Sequence, residues 1–222
     1  GKYAFFLDSD DYLGAESIER MLDHAVEWGS DVLLVKMRGE NGREVPKSMF
    51  TRNQPRADLE HSKVLWTLAP LKLFRRELIA DLRFPSDMPE DIPFVLEAYL
   101  RADCVSVAAD YDYYHVSFDP SKDHASVSSW NDVHSSFRIY RAVLELVEKY
   151  HEPNRDLTAL WRRITSRDIQ ATLNVAAKRQ VSLTSEEKAI ARKFVEVCEE
   201  TGGLQSVAAD SLVRVKEHLA CL

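Results

Sequence analysis

Short apolar runs alternate with helical periodicity through the first half of the chain. Residues 3–7 form an aromatic-rich run and residues 32–35 an aliphatic one, and both are typical of buried β-strands. Between them, apolar side chains recur at helical spacing from Ile18 to Val26, and Gly29 follows as a helix C-cap. This alternation predicts an α/β sheet.

The same signals predict the other elements of this half. Asn41-Gly42 is a turn signal, so residues 37–49 are expected to form a hairpin. Residues 65–82 have a mostly helical pattern, interrupted at Pro70 because proline cannot continue a helix. The pattern further predicts a helix over residues 92–102 and strands over residues 105–109 and 111–115.

The pattern changes after Ser117. Residues 117–132 are rich in Ser, Asp and His without periodicity, which is typical of a loop. From residue 133 onward, amphipathic helical segments recur and no strand pattern is convincing. We therefore predict an α/β domain over residues 1–120, followed by an all-helical bundle domain over residues 121–222.

Composition narrows the function classes. The chain has 222 residues, is 45% hydrophobic and 29% charged, and carries a net charge of −7, so it lacks the basic footprint of a nucleic-acid binder. No apolar run approaches the ~20 residues that span a bilayer. Cys104, Cys198 and Cys221 are few and far apart, which fits neither a disulfide framework nor a zinc site and suits a reducing cytoplasm.

Three acids, Asp8, Asp10 and Asp11, follow the first apolar run within four positions. One interpretation is structural, because acids are common in turns. The other is functional, because open α/β sheets bind ligands at the carboxyl ends of their strands and clustered carboxylates favour a cation. Mn²⁺ or Mg²⁺ carrying a phosphorylated substrate suits such a site. A strand of this kind normally lies inside a sheet, so we expect a segment before Gly1.

Glu90 and Asp91 form a second acidic pair, just before Ile92-Pro93-Phe94. Acids at a helix N-terminus complement the helix dipole, which is a sufficient structural explanation. The alternative is that an ionised carboxylate, held by backbone donors and facing a cleft, takes a proton from a substrate hydroxyl.

Two further groups are candidates for binding. His115 ends a predicted strand beside the loop, so it is either a structural histidine or a third metal ligand, and Ser117 shares its face if the strand continues. The segment over residues 71–76 is predicted to be an amphipathic helix with a basic face that includes Lys72 and Arg76. That face is either solvated or neutralises a diphosphate.

Taken in order, these pieces resemble family 2 glycosyltransferases of the GT-A fold. The resemblance covers roughly the first 120 residues, and it is greatest to bacterial enzymes of cell-surface polymers, including teichoic-acid glycosyltransferases with a helical region after the catalytic domain. The matching segments are Phe6-Leu7-Asp8-Ser9-Asp10-Asp11-Tyr12-Leu13, Trp28-Gly29-Ser30-Asp31-Val32, Lys72-Leu73-Phe74-Arg75-Arg76, Glu90-Asp91-Ile92-Pro93-Phe94 and Tyr113-Tyr114-His115.

The resemblance implies an inverting, metal-dependent transfer of a sugar from a nucleotide-sugar donor to a glycan or polyol-phosphate hydroxyl. Asp8 and Asp10 would hold the divalent ion against the donor diphosphate. Asp91, with Glu90 beside it, would be the base that deprotonates the acceptor. His115 and Ser117 would add a metal or diphosphate contact. Residues 72–76 would line the acceptor side, with Lys72 and Arg76 as the cations.

The chain departs from the family in one respect. The family begins with a nucleotide-binding half of roughly 90 residues, which is expected before Gly1, so residues 1–120 would be the C-terminal part of the catalytic domain. We therefore expect little activity from residues 1–222 alone. The expected location is the cytoplasm, with peripheral attachment to a membrane as an open alternative.

Two other functions are open. Haloacid dehalogenase-type phosphatases also place Asp-x-Asp after an apolar strand, but Tyr12 stands where they have Thr or Val, and a later Gly-Asp-Gly-type motif is not found. The second alternative is a helical interaction module with a degenerate catalytic remnant, against which the intact acids argue.

Overall fold

The computed structural model describes residues 1–59, 63–85, 91–117, 132–150, 156–200 and 208–221. The chain divides into two units. Unit 1 comprises Gly1–Phe84 and Phe94–Asp123, and unit 2 comprises Pro85–Pro93 and His124–Leu222. The domain boundary predicted at residue 120 lies outside the described residues, as do residues 118–131 of the loop predicted over residues 117–132.

The larger sheet of unit 1 contains the strands β1 (Tyr3–Phe5), β3 (Val32–Val35), β5 (Lys72–Arg75) and β6 (Val105–Ala108). Their order is β1-β5-β3-β6. β3 runs parallel to β6 and antiparallel to β5, and β5 pairs antiparallel with β1. Every residue of β3 is buried, which explains its apolar run without alternation.

A smaller sheet of unit 1 contains β2 (Tyr12–Leu13), β4 (Met37–Gly39) and β7 (Tyr114–Val116). The central strand is β7, which pairs antiparallel with β2 and parallel with β4. In this register His115 lies opposite both Tyr12 and Arg38. The sheet therefore places Tyr12, which follows the acidic turn, beside His115.

Helices and aromatic side chains cover the larger sheet. Helix α1 (Ser17–Glu27) buries Met21 and Ala25 against a cluster that includes Leu33 and Leu73. Phe74, the next residue of β5, points to the other face by strand alternation, and its ring lies 5.8 Å from that of Phe94 in helix α2 (Ile92–Arg101). Burying one such side chain contributes about 1.5–3 kcal/mol, so both faces stabilise the sheet.

The helix predicted over residues 65–82 is wrong. The structure has a 3₁₀ turn at Val64–Trp66, and β5 then occupies Lys72–Arg75. β5 lies between β1 and β3, so sheet hydrogen bonds on both sides outweigh the weak helical pattern. A short apolar run does not distinguish the two structures by periodicity alone.

The hairpin predicted over residues 37–49 is also wrong, although its turn is present. Asn41 and Gly42 have positive φ angles of 50° and 85°. The chain after this turn forms no strand, and β4 pairs instead with β7. A Cβ on Gly39 would lie 1.8 Å from the carbonyl oxygen of Arg43. The chain that follows the turn therefore packs directly against the Gly39 backbone, which only glycine allows.

Unit 2 is helical in its described residues, and no strand occurs in residues 132–150, 156–200 or 208–221. Phe137, Tyr140, Trp161 and Phe194 form edge-on ring contacts in its core. The helices are α3 (Val133–Lys149), α4 (Thr158–Arg163), a π-helical segment (Ile164–Ile169), α5 (Gln170–Arg179), α6 (Ser185–Glu200) and α7 (Ala208–Cys221).

Two general properties concern the whole described chain. Cys104 and Cys198 are buried free thiols. Among the described residues, no helix has both the length and the hydropathy needed to cross a lipid bilayer.

Candidate functional site

The acidic segment forms a tight turn directly after β1. The Asp11 amide donates to the Asp8 carbonyl at 3.2 Å, which places Ser9 and Asp10 at the corner of the turn. Asp8, Ser9 and Asp10 are exposed, whereas Asp11 is half-buried. The turn therefore presents two carboxylates, those of Asp8 and Asp10, toward solvent at the end of a strand.

Asp11 has a different environment from the other two acids. One of its carboxylate oxygens accepts a hydrogen bond from the Tyr114 hydroxyl and the other from the Ser117 amide, both at 2.7 Å. The Tyr114 hydroxyl also accepts from the Asp8 amide at 3.2 Å. These bonds fasten both ends of the turn to β7, so Asp11 anchors the turn.

The environment of Tyr114 fits this anchoring role. Its side chain is completely buried, and burial followed by the hydrogen bond to Asp11 raises its pKa far above the ordinary value. The hydroxyl therefore stays protonated and remains a donor to Asp11 at any physiological pH.

The exposed carboxylates of the turn suit one kind of divalent-ion site. Among the described residues, no three His, Cys, Asp or Glu side chains are grouped so as to hold a metal ion. Mg²⁺ in phosphate-transferring sites is commonly held by one or two carboxylates, with water and substrate phosphates completing its shell. Asp8 and Asp10, exposed on one turn, fit an ion of that kind and do not fit a closed protein cage.

His115 lies on the opposite face of β7 from Tyr114, because side chains alternate along a strand. Its ring stacks on that of Tyr12, with centroids 4.6 Å apart and an interplanar angle of 10°. Its Nδ1 is 2.8 Å from Glu40 Oε1, and this bond is the first cause of the lowered pKa of Glu40. Tyr114, rather than His115, is thus the β7 side chain seen to contact the acidic turn.

The basic segment has a different structure from the predicted one. In β5 the Lys72 side chain is buried, with its ammonium donating to the Ala69 carbonyl and lying 5.8 Å from the Tyr99 ring centroid. Arg75 forms an ion pair with Asp31 at 2.6 Å. Arg76 is exposed. A continuous basic helical face is therefore absent, because the segment forms a strand in which Lys72 is buried and Arg75 is paired with Asp31.

The second acidic pair is described only in part. Glu90 lies outside the described residues, whereas Asp91 is half-buried and immediately precedes the first residue of α2, Ile92. A carboxylate at this position is favoured by the helix dipole. Asp91 belongs to unit 2 and the acidic turn to unit 1. That Asp91 faces a substrate cleft stays a prediction.

Three residues of this region were missed from the sequence: Asp11 as an anchor, Tyr114 and Glu40. Asp11 carried a signal as the third acid of the cluster, and Tyr114 lay in a segment that resembles the family but had no role assigned to it. The roles of Tyr114 and Glu40 depend on pairing between segments over 70 residues apart, as the separations of 103 and 75 show.

Comparison with known proteins gives a consistent result. No protein-family model matches the chain. A poly(ribitol-phosphate) β-glucosyltransferase of Bacillus spizizenii is 46% identical over 120 residues, which is 52% of this chain and 19% of the relative. The poly(ribitol-phosphate) β-N-acetylglucosaminyltransferase TarP of Staphylococcus aureus is 34% identical over 152 residues, covering 64% of this chain and 46% of TarP.

Solved structures extend the similarity to the whole chain. The crystal structure of S. aureus TarS residues 1–349 in complex with UDP-GlcNAc matches with a TM-score of 0.67 and 25% identity, over 99% of this chain and 66% of that one. The chain spans less than half the length of the curated relatives it matches. It is thus homologous, over that part, to glycosyltransferases that modify teichoic-acid polymers.

Proposed function

We propose that this chain is part of a metal-dependent, inverting glycosyltransferase of family 2 with a GT-A-like catalytic domain. The donor would be a nucleotide sugar and the acceptor a hydroxyl of a polyol-phosphate polymer. The observation that carries the proposal is the exposed Asp8–Asp10 turn at a strand end, anchored by Asp11. The homologous glycosyltransferases, and the UDP-GlcNAc complex of TarS, support it.

The turn would serve the donor side of the reaction. Asp8 and Asp10 would hold Mn²⁺ or Mg²⁺, which supplies positive charge that stabilises a departing diphosphate. The anchored backbone keeps the two carboxylates on one turn before substrate arrives, and this lowers the entropic cost of binding. Ser117, whose amide is already bonded to Asp11, lies at the β7 end of this network.

The acceptor side needs a base. We assign this role to Asp91, with Glu90 beside it. The acceptor oxygen forms a bond to the anomeric carbon, the bond from that carbon to the diphosphate oxygen breaks, and the hydroxyl proton passes to the Asp91 carboxylate. The products are the glycosylated polymer and a nucleoside diphosphate.

The remaining assignments follow from the family resemblance. His115 would contact the ion or the diphosphate through its Nε2, because its Nδ1 is engaged by Glu40. Arg76, which is exposed, is better placed than the buried Lys72 to meet a polyanionic acceptor. We place the enzyme in the cytoplasm, where nucleotide sugars are made, with peripheral attachment to the membrane as a further possibility.

The test is transfer by the complete protein from UDP-glucose and UDP-GlcNAc to poly(ribitol phosphate), with and without Mn²⁺. We expect transfer that chelation abolishes and that Asp10→Asn reduces, while Asp23→Asn, an exposed acid of α1, has no effect. Metal-independent transfer would reject the role of the turn. Release of inorganic phosphate from a simple phosphate ester, without transfer, would favour the phosphatase alternative.

The isolated chain provides a second test. Two carboxylates leave most of a six-ligand shell to water and phosphate, so residues 1–222 should bind Mn²⁺ weakly in the absence of nucleotide. Calorimetry showing tight binding by this chain alone would contradict the open site described above.

A further inference from the structure

A second surface of unit 1 is arranged around Tyr12, the residue that follows the acidic cluster. Tyr12, His115 and Arg38 lie in one row across the smaller sheet, directly opposite one another in register. Glu40 extends the row from the end of β4 and meets His115 at 2.8 Å. We call these four residues the Tyr12 face. The proposed reaction uses His115 of this face, but it does not use the ring of Tyr12.

The ring of Tyr12 is both exposed and immobilised. About half of the residue, 48%, is exposed, although one side of its ring lies flat on the His115 imidazole. His115 is itself held by Glu40, and Glu40 forms an ion pair with Arg38 at 3.5 Å. An exposed aromatic ring held in place from beneath loses little conformational freedom when a ligand stacks on it.

The charges beside the ring are paired. Asp112 meets Lys36 at 2.8 Å and Arg38 at 3.6 Å, and these side chains border a shallow cavity of about 390 Å³ that Asp110, Tyr111 and His115 also line. Each cation thus already faces a carboxylate. The face has no surplus positive charge to attract a phosphate, but it offers carboxylate and guanidinium groups that hydrogen-bond to neutral hydroxyls.

We propose that the Tyr12 face binds a sugar ring, whose apolar C–H face stacks on Tyr12 while its hydroxyls bond to Asp112 and Arg38. The aromatic ring supplies the flat apolar surface and the paired charges supply orientation, the combination that specific small-molecule sites use. The identity of the ligand rests on the proposed function, in which sugars are present on the donor and on the glycosylated polymer. Either source presents the same ring.

The experiment is an NMR titration of the isotopically labelled chain, 1–222. The probes are methyl β-glucoside, methyl β-N-acetylglucosaminide and ribitol 5-phosphate, each up to about 50 mM, where a Kd in the millimolar range is measurable. We expect both glycosides to shift the amides of Tyr12, Arg38 and His115, and ribitol phosphate to leave them unchanged. Absence of glycoside shifts, or equal shifts with ribitol phosphate, would overturn the proposal.

Substitutions separate stacking from folding. Tyr12→Leu should weaken glycoside binding about five- to tenfold, because it removes the ring, whereas Tyr12→Phe should stay within about twofold of the parent chain. Ile18→Ala, an exposed apolar residue on α1, is the control and should bind as the parent does. Equal loss in Tyr12→Leu and Ile18→Ala, or unchanged binding in Tyr12→Leu with an intact spectrum, would reject the role of the ring.

Two further experiments distinguish the donor from the acceptor as the source of the sugar, and separate sugar binding at the Tyr12 face from the proposed transfer reaction. Stronger shifts with UDP-glucose than with UDP identify the donor as the source of the sugar, and stronger shifts with a glycosylated ribitol phosphate identify the acceptor. Asp10→Asn should leave methyl glucoside binding unchanged while it impairs transfer by the complete protein. Loss of glycoside binding in Asp10→Asn would contradict a sugar site that does not depend on the carboxylates of the acidic turn.

Discussion

The two units differ in the burial of one carboxylate. In unit 1 the carboxylates of Glu40, Asp110 and Asp112 lie near the surface, and hydrogen bonds from their neighbours help to lower the pKa of each. In unit 2 Asp168 is buried, and desolvation raises its pKa despite nearby arginines. These three acids of unit 1 stay ionised, as do Asp132 and Glu187 of unit 2, whose pKa values are also lowered, so Asp168 is the acid that sets unit 2 apart.

The buried charge of unit 2 has a backbone cause. Asp168 follows Arg163 by five residues, and in an α-helix those side chains would diverge by about 140°. The π-helical segment Ile164–Ile169 changes that phase, and Arg163 Nη1 lies 3.5 Å from Asp168 Oδ2. Among the described residues, Asp168 Oδ2 is a buried atom without a hydrogen bond. The pair is therefore imperfectly compensated, and such pairs add little net stability.

The largest effect we predict concerns Asp91, which would be a functional acid supplied by unit 2. Asp91→Asn in the complete protein should reduce transfer by about 10²–10⁴-fold, because an amide cannot accept the acceptor proton. Donor binding should be nearly unchanged. Asp10→Asn should weaken donor binding as well, since it removes a metal ligand.

Steady-state kinetics together with calorimetry of UDP-sugar binding separate these two variants. Unimpaired transfer by the Asp91→Asn variant would show that unit 2 does not supply the base, and a residue of unit 1 would then have to do so. Donor binding that falls equally in both variants would reject the division of roles.

The next effect tests the buried pair of unit 2. Asp168→Ala should lower the free energy of unfolding by about 3–5 kcal/mol, because it leaves the Arg163 charge buried without the carboxylate that faces it. The double variant Arg163→Met/Asp168→Leu should recover most of that loss, since apolar residues of similar size need no charge compensation. Chemical denaturation followed by circular dichroism measures both. A loss below about 1 kcal/mol in the single variant would contradict this view of the pair.

A smaller effect is expected at the anchor of the acidic turn. Tyr114→Phe should cost about 1–3 kcal/mol, because Asp11 loses a buried donor, and it should also weaken Mn²⁺ binding in the presence of UDP. Tyr113→Phe is the matched control. Tyr113 is also buried, but its hydroxyl donates to Asp110, at 2.9 Å, and not to a residue of the turn. Equal changes in metal binding in the two variants would show that Tyr114 acts only through stability.

The smallest effect is on the pH dependence of stability, and its sign at Asp168 is opposite to its sign at the unit 1 carboxylates. Lowered folded-state pKa values mean that Glu40, Asp110 and Asp112 stabilise unit 1 above the unfolded pKa values near 4, and this contribution is lost as pH falls through the lowered values. The raised pKa of Asp168 has the opposite sign. Its contribution is complete below the unfolded pKa and is lost as pH rises through the folded value.

Amide hydrogen exchange between pH 3 and pH 7 measures the two contributions separately, after correction for intrinsic exchange. Asp112→Asn should flatten the acid response of unit 1. Asp168→Asn should remove from unit 2 the loss of stability that accompanies rising pH, and it should leave the acid response of Asp132 and Glu187 in place. An Asp168→Asn variant whose unit 2 profile is the same as that of the parent chain would contradict the sign assigned to Asp168.

The sequence alone determined the features that depend on local pattern. The apolar run of β3, the amphipathic helix α1 with its Gly29 cap, the acidic turn after β1, and the helical character of α3 and α6 were all predicted correctly. Each is encoded within a few residues, because periodicity, capping and turn chemistry act over one or two turns of chain. The similarity to teichoic-acid glycosyltransferases also followed from short motifs and is confirmed by the comparisons.

Only the tertiary structure decided the features that depend on distant partners. Residues 72–75 became a strand because β1 and β3 hydrogen-bond to them from both sides. Asp11 became an anchor, and His115 stacked on Tyr12, because β7 pairs with β2 across about 100 residues and alternation sends Tyr114 and His115 to opposite faces. The energy of a sheet pairing is shared between its two strands, so no pattern within one segment contains it.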